Sequence, residues 1–318
     1  MIVYSARYRV DIGPHVFPTD KYQRIHARLL ETGAITPSIV VEPETATWDE
    51  LALVHTPEYL AKMRDGTMTD EDVALLELPW SREMADAFRA MVGGTVTAAH
   101  LATSPETNPE IPNPVVCHIG GGLHHAFPNH GEGFCPFNDV AVAVRVLQTR
   151  GADRIAIVDL DVHHGNGTAF IFESDPRVFT FSMHQQHNYP MWKPRGSLDI
   201  GLADGTHDAT YLRELARGLE AVSAHSPRCV FYLAGADPYE DDQLGGLRLT
   251  RDGLRRRDQM VIDAVRAAGV PLVITLAGGY ARRVEDTVAI HCATIEEGLR
   301  RSSGPMLAGY ETPDSPPR

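Results

Sequence analysis

A chain of 318 residues with 43% hydrophobic content is long enough to bury a large core. Its formal net charge of −13, from 42 acidic against 29 basic residues, repels phosphate backbones and argues against direct nucleic-acid binding. No apolar run approaches ~18 residues, which excludes a spanning helix, and Cys117, Cys135, Cys229 and Cys292 form no C-x-x-C, which argues against a disulfide framework or a thiolate zinc site.

The start, Met1-Ile2-Val3-Tyr4, lacks the basic region and apolar core of a signal peptide. With the scattered cysteines, this points to a cytoplasmic location. The first third reads as largely helical, with helices predicted over residues 22–31 and 82–101. Beyond it, buried strands are predicted at 114–119, 154–160, 178–183, 229–234 and 271–276. Helices are predicted among them at 139–148, 209–224 and 254–268. The strand segments are continuously apolar rather than alternating, the pattern of strands covered on both faces of a parallel sheet. Strands alternating with helices imply an α/β fold, a single-domain three-layer α/β/α sandwich with a mostly parallel central sheet over residues 1–301. Residues 302–318, rich in proline and small polar groups, read as a loosely attached tail.

Polar residues cluster where these strands end, the place where an open parallel sheet binds its ligands. The first strand runs into Gly120-Gly121-Gly122-Leu123-His124-His125, and the second into Asp159-Leu160-Asp161-Val162-His163-His164-Gly165-Asn166-Gly167. The fourth leads to Gly235-Ala236-Asp237 and the fifth to Gly278-Gly279-Tyr280. Asp161 and His163 are two residues apart, so on extended chain they point the same way. A carboxylate and an imidazole so placed, with Asp237 as a third donor, suit a catalytic divalent metal with an open position. An isolated D-x-D-x-H string would be explained as well by helix capping and core contacts; three further strand-end clusters favour the metal. The adjacent imidazoles of His124 and His125 are suited to general base and acid work beside such a metal, with Asp159 and Asn166 as candidates to fix their tautomers. Tyr280, after a glycine pair read as a flexible hinge, could polarise a carbonyl opposite the metal. Residues 64–79 and 185–195 read as loops on the pocket rim.

Together these stretches, with Gly133-Phe134-Cys135-Pro136-Phe137-Asn138-Asp139, resemble the histone deacetylase family, which includes acetoin-utilisation and acetylpolyamine amidohydrolase proteins. The likeness covers roughly residues 115–285. The short chain, Asn188-Tyr189-Pro190 and Asp199-Ile200-Gly201-Leu202 look most like the small class IV branch. The resemblance implies an arginase/deacetylase-like fold and hydrolysis of acetyl or longer acyl groups from lysine side chains or related amines. It implies Zn²⁺ (or Fe²⁺) on Asp161, His163 and Asp237, with His125 as base and then acid. His124 would be its electrostatic partner tied to Asp159, and Tyr280 the carbonyl-polarising group. Gly133, Phe134 and Tyr189 would wall an acyl-lysine tunnel. A structural K⁺ would involve Asp159, Asp161, His163, Ser182 and Met183. The chain departs from class I members in carrying Asn166 where they have aspartate. Competing readings are an arginase-like ureohydrolase with two Mn²⁺ ions, a non-catalytic acyl-lysine binder, and a thiol hydrolase built on Cys135.

Overall fold

The computed structural model describes residues 1–104 and 114–300; the predicted tail at 302–318 lies outside the described residues. Among the described residues there are eight strands: β1 (Ile2–Val3), β2 (Val40–Val41), β3 (Val115–His118), β4 (Ile155–Asp159), β5 (Val178–Gln185), β6 (Leu198–Leu202), β7 (Cys229–Leu233) and β8 (Leu272–Thr275). Between them run α1 (Lys21–Glu31), α2 (Trp48–Leu51), α3 (Pro57–Asp65), α4 (Asp70–Leu76), α5 (Arg82–Thr103), α6 (Asp139–Thr149), α7 (Asn166–Phe172), α8 (Asp208–Ala224), α9 (Arg251–Ala267) and α10 (Val284–Leu299). The strands form one sheet in the order β2-β1-β3-β8-β7-β4-β5-β6. Every pairing is parallel. Helices cover both faces, giving the expected three-layer α/β/α sandwich.

Local chemistry explains the element boundaries. Every residue of β4, β7 and β8 is buried, so no polar face exists and the apolar runs are continuous. Several helices start on side chains that accept otherwise orphaned backbone N–H groups, among them Ser81 for α5, Asn138 for α6 and Thr250 for α9. The one long strand missed in the sequence, β6, sits at the sheet edge with alternating exposure, so it never forms an unbroken apolar run. α10 was also missed; it is so thoroughly packed that its sequence lacks a clear polar face. Among the described residues, no helix is long and apolar enough to cross a membrane.

Two core histidines couple this packing to pH. His118, at the end of β3, donates from Nδ1 to Thr95 Oγ1 (3.0 Å) and accepts at Nε2 from the Tyr8 hydroxyl (2.9 Å). The Thr95 hydroxyl is itself committed to Asp139 (2.5 Å), which sets these roles. His55 donates to Phe127 O (3.0 Å) and accepts from Asn138 N–H (3.1 Å). Both rings are therefore neutral, and burial lowers His118 to about 3 and His55 to about 4. A depressed folded value means the stabilisation is complete above the unfolded value of about 6.5 and is lost as pH falls toward the folded values. Urea unfolding is expected to record a fall in stability between pH 6.5 and 5. The fall should be shallower in His118→Gln, which has nothing to titrate there; identical slopes would refute the neutral assignment.

Candidate active site

In the sheet order, β3, β8, β7 and β4 are consecutive neighbours. Their carboxyl ends carry His124-His125, Tyr280, Asp237 and Asp161-His163, so four clusters separated by up to 156 residues meet over the sheet centre. The Gly121–Leu123 turn that delivers the histidines is held by the buried Asp139 carboxylate, which accepts from Gly122 N–H (3.0 Å) and Leu123 N–H (2.7 Å). Arg257 of α9, fully buried, donates to Gly235 O (2.5 Å) and Leu160 O (3.4 Å). It thereby braces the two loops that carry Asp237 and Asp161.

The histidine pair is arranged as two parallel relays. His124 Nδ1 meets Asp159 Oδ2 at 2.7 Å, and His125 Nδ1 meets Asn166 Oδ1 at 2.7 Å. The two Nε2 atoms lie 3.1 Å apart and face the pocket. Burial disfavours charge on both rings. At His124 the carboxylates of Asp159 and Asp161 outweigh burial and raise the ring to about 9. At His125 burial prevails, reinforced by the neighbouring His124 and His163, and the ring is held well below the ordinary value. The two imidazoles are thus biased in opposite senses, His124 toward its charged form and His125 toward its neutral form.

Beside them, donor atoms of Asp161, His163 and Asp237 all lie within 4.8 Å of one another, and all three residues are buried. Among the described residues this is the one group of its kind. Asp161 Oδ2 accepts from Gly278 N–H (2.8 Å) and Asp237 Oδ1 from Val162 N–H (2.9 Å). The other Asp237 oxygen is buried with no hydrogen-bond partner among the described residues; His163 Nδ1 stands 3.6 Å from it. An orphaned buried carboxylate oxygen aimed at an imidazole and a second carboxylate fits a divalent cation. Burial opposes charge on His163, but Asp161 and Asp237 raise it to about 10, while burial and Asp161 push the Asp237 carboxyl up. A bound cation would take the place of that proton.

An outer chamber of about 170 Å³ leads from His125 and His163 past Gly133, Phe134, Tyr189 and Tyr280 to Glu77, Asn188 and Leu244. Gly133 (φ 51°) and Phe134 (φ 66°) are the central residues of a tight reverse turn closed by Cys135 N–H to Glu132 O at 2.9 Å. Positive φ at both positions is the mark of a type I′ turn, and it presents the Phe134 ring to the chamber. A Cβ at Gly133 would lie 2.8 Å from the His125 ring and 2.9 Å from Tyr189.

The family model described as the Histone deacetylase domain matches residues 15–295. The chain belongs to the histone deacetylase family. It is 31% identical to Histone deacetylase 2 of Arabidopsis thaliana over 306 residues, 90% of this chain and 77% of the relative. It is 44% identical to an uncharacterized Picosynechococcus sp. protein over 91% of this chain and 95% of that one. Among solved structures, the HDA15 HD domain superposes with a TM-score of 0.78 at 27% identity, covering 95% of this chain and 91% of that one. The chemistry supported by this membership is that of a deacetylase-type amide hydrolase.

Within this deacetylase-family site His124, His125, Asp161, His163, Gly133, Phe134, Tyr189 and Tyr280 line the inner pocket or the outer chamber. Asp159 and Asn166 stand behind the histidine pair, and Asp237 lies beside His163. Ser182 pairs with Asp159 in the β4–β5 register, with Met183 next to it. Two local expectations need correction. The glycine pair before Tyr280 is no hinge: a Cβ at Gly278 would lie 2.0 Å from Asp237 Oδ2 and 2.5 Å from Asp161 Oδ2, so glycine permits the backbone to touch both carboxylates. Residues 64–79 are not a plain loop, because α4 with its Thr69–Asp72 capping box occupies their middle, and only Glu77 from this stretch reaches the chamber. Cys135 is buried, and burial drives its thiol well above the ordinary value, which leaves no thiolate for a cysteine hydrolase.

Several residues behind the site carried no sequence signal. Asp242 accepts from Tyr280 N–H (2.7 Å) and from Leu244 and Gly245, fixing the loop on which the tyrosine stands. Lys21, buried, donates to Ala277 O (2.8 Å) beneath the pocket, and burial lowers it to about 8. Glu132 accepts from both Asn166 and Tyr189. Asp242 lies far in sequence from Tyr280, Lys21 from Ala277, and Glu132 from Asn166 and Tyr189, so spacing could not reveal these pairs.

Proposed function

We propose that this protein is a zinc-dependent deacylase that removes acetyl or longer acyl groups from lysine side chains or related amines. The observation that carries this reading is the convergence of Asp161, His163 and Asp237 on one another, beside a narrow pocket that Asp161 and His163 line together with His124, His125 and Tyr280. When bound, Zn²⁺ (or Fe²⁺) would supply Lewis acidity to the amide carbonyl and lower the pKa of the attacking water.

The chain's own groups do the rest. Phe134 and Tyr189 exclude bulk water and line the acyl-amine stem. His125, held neutral with Nδ1 occupied by Asn166, takes the water's proton at Nε2 and later delivers it to the leaving amine. His124, bonded to Asp159, keeps a positive charge next to the developing anion. Burial holds the Tyr280 hydroxyl well above its ordinary pKa, so it stays protonated and donates to the oxyanion. Released acetate and amine complete the turnover. A structural K⁺ at Asp159, Asp161, His163, Ser182 and Met183 is supported by the β4–β5 register, which sets Asp159 opposite Ser182. The Asn188-Tyr189-Pro190 segment supports the class IV branch, and four free, buried cysteines support a reducing, cytoplasmic setting.

The test is a parallel turnover assay of zinc-replete protein on acetyl-lysine peptides, long-chain acyl-lysine peptides and acetylputrescine, with metal content measured alongside. Release of acyl product at one catalytic metal per chain is the expected result. Full metal loading with no hydrolysis of any of the three would leave the acyl-lysine binder, and two Mn²⁺ per chain would favour the ureohydrolase.

A further inference from the structure

The proton relay behind His125 has an unusual member. Asn166 is an amide with two unlike ends, an acceptor Oδ1 and a donor Nδ2, and either can face His125. Facing it with Nδ2 would force Nδ1 of His125 to be the lone-pair nitrogen, place the ring proton on Nε2 and leave the pocket without a base. Oδ1 is the end that faces His125, at 2.7 Å, while Nδ2 donates to Glu132 Oε1 at 2.8 Å. A carboxylate can only accept, so its presence selects this orientation.

Glu132 is itself strongly held. Its backbone closes the turn through Glu132 N–H to Cys135 O (3.2 Å) and Cys135 N–H to Glu132 O (2.9 Å). Oε1 also accepts from the Tyr189 hydroxyl (2.7 Å), and Oε2 faces His130 Nε2 at 3.3 Å. Half-burial favours its protonated form, but the bonds from His130, Tyr189 and Asn166 outweigh this and keep it below the ordinary glutamate value.

We propose that Glu132 is a positioning residue for the deacylase reaction: by accepting from Asn166 Nδ2 it locks the amide so that His125 carries its proton on Nδ1 and offers Nε2 as the base. The same carboxylate holds Tyr189, tying the tunnel wall to the relay. This inference rests on the proposed function for its catalytic consequence, although the tautomer lock itself does not depend on it. It also accounts for how a neutral amide serves in a position where a carboxylate would present two equivalent acceptors. With Glu132 present, an aspartate at 166 would instead set two carboxylates about 3 Å apart and in conflict.

The experiment compares zinc-reconstituted wild type, Glu132→Gln, Asn166→Asp and the double variant, each checked for zinc content and thermal unfolding. Glutamine can donate as well as accept, so Glu132→Gln frees the Asn166 amide to turn. A fall in kcat of about 10- to 100-fold, the usual effect of a supporting partner, is expected with zinc retained. Asn166→Asp is expected to fall as well. The double variant is expected to exceed either single variant, because glutamine can donate to the new carboxylate. The second readout is the ¹⁵N spectrum of the His125 ring, which is expected to report an Nδ1–H tautomer in wild type, a mixture in Glu132→Gln and Nδ1–H again in the double variant. Wild-type kcat in Glu132→Gln, additive losses in the double variant, or an unchanged tautomer across the series would each overturn the proposal. If wild type hydrolyses no acyl-amine, the functional reading fails, and the ring spectra still decide the role of Glu132.

Discussion

Asp237→Ala is expected to bind no stoichiometric zinc and to have no measurable turnover, the largest effect of any single substitution in this protein. Asp237 contributes the only orphaned carboxylate oxygen of the three-donor group, and it comes from the β7 end, whereas Asp161 and His163 share the β4 end. Two donors cannot hold a catalytic zinc with the affinity of three. Zinc should raise the unfolding temperature of wild type, because a ligand that binds the folded state stabilises it by mass action. That shift should vanish in the variant. The variant should still fold, since Asp237 makes a single hydrogen bond, from Val162 N–H, and burial next to Asp161 already disfavours its charge. Zinc bound at parity in a folded Asp237→Ala protein would remove Asp237 from the ligand set.

Tyr280→Phe is expected to separate chemistry from metal binding. Tyr280 lines the same pocket as Asp161, His163 and His125 but is not among the three converging donors. Its backbone is fixed independently, by N–H donation to Asp242 and by Gln243 Nε2 donating to its carbonyl at 2.9 Å. The ring therefore stays in place when the oxygen is removed. Loss of one preorganised donor to an oxyanion costs about 100- to 1,000-fold in kcat. Zinc content should remain at the wild-type level, and KM should change far less than kcat because the donor acts on charge that develops after binding. Near-normal kcat in this variant would mean that another group stabilises the oxyanion.

The two variants probe different levels of legibility. Asp161 and His163 were readable as a pair because strand geometry alone points residues i and i+2 the same way. Asp237 is readable as a third donor from its place at another strand end, but its nearness to the pair depends on β7 lying next to β4 in the sheet. Similarly, adjacent His124 and His125 suggested a proton-transfer pair, and Asp159 and Asn166 were nominated as their supports from position. The family resemblance already ties Asp159 to His124, and in the structure Asp159 lies 2.7 Å from His124 and Asn166 2.7 Å from His125. Asn166, the departure from the class I pattern, becomes intelligible only with Glu132 behind it.

What the sequence determined by itself was everything encoded at short range. Continuous apolar runs ending in polar clusters specify buried parallel strands with chemistry at their carboxyl ends, because burial on both faces leaves no room for alternation. Glycine strings and i, i+2 donor spacing specify the local shape of the catalytic loops. The tertiary structure alone decided the order of strands, and hence which ends meet. It also decided the buried braces, Asp139 on the glycine turn, Arg257 on the two metal-side loops, Asp242 under Tyr280 and Glu132 behind Asn166. The physical reason is that a buried charge or hydrogen bond is satisfied by whatever donor the fold delivers, at any separation along the chain. No local pattern therefore announces its partner.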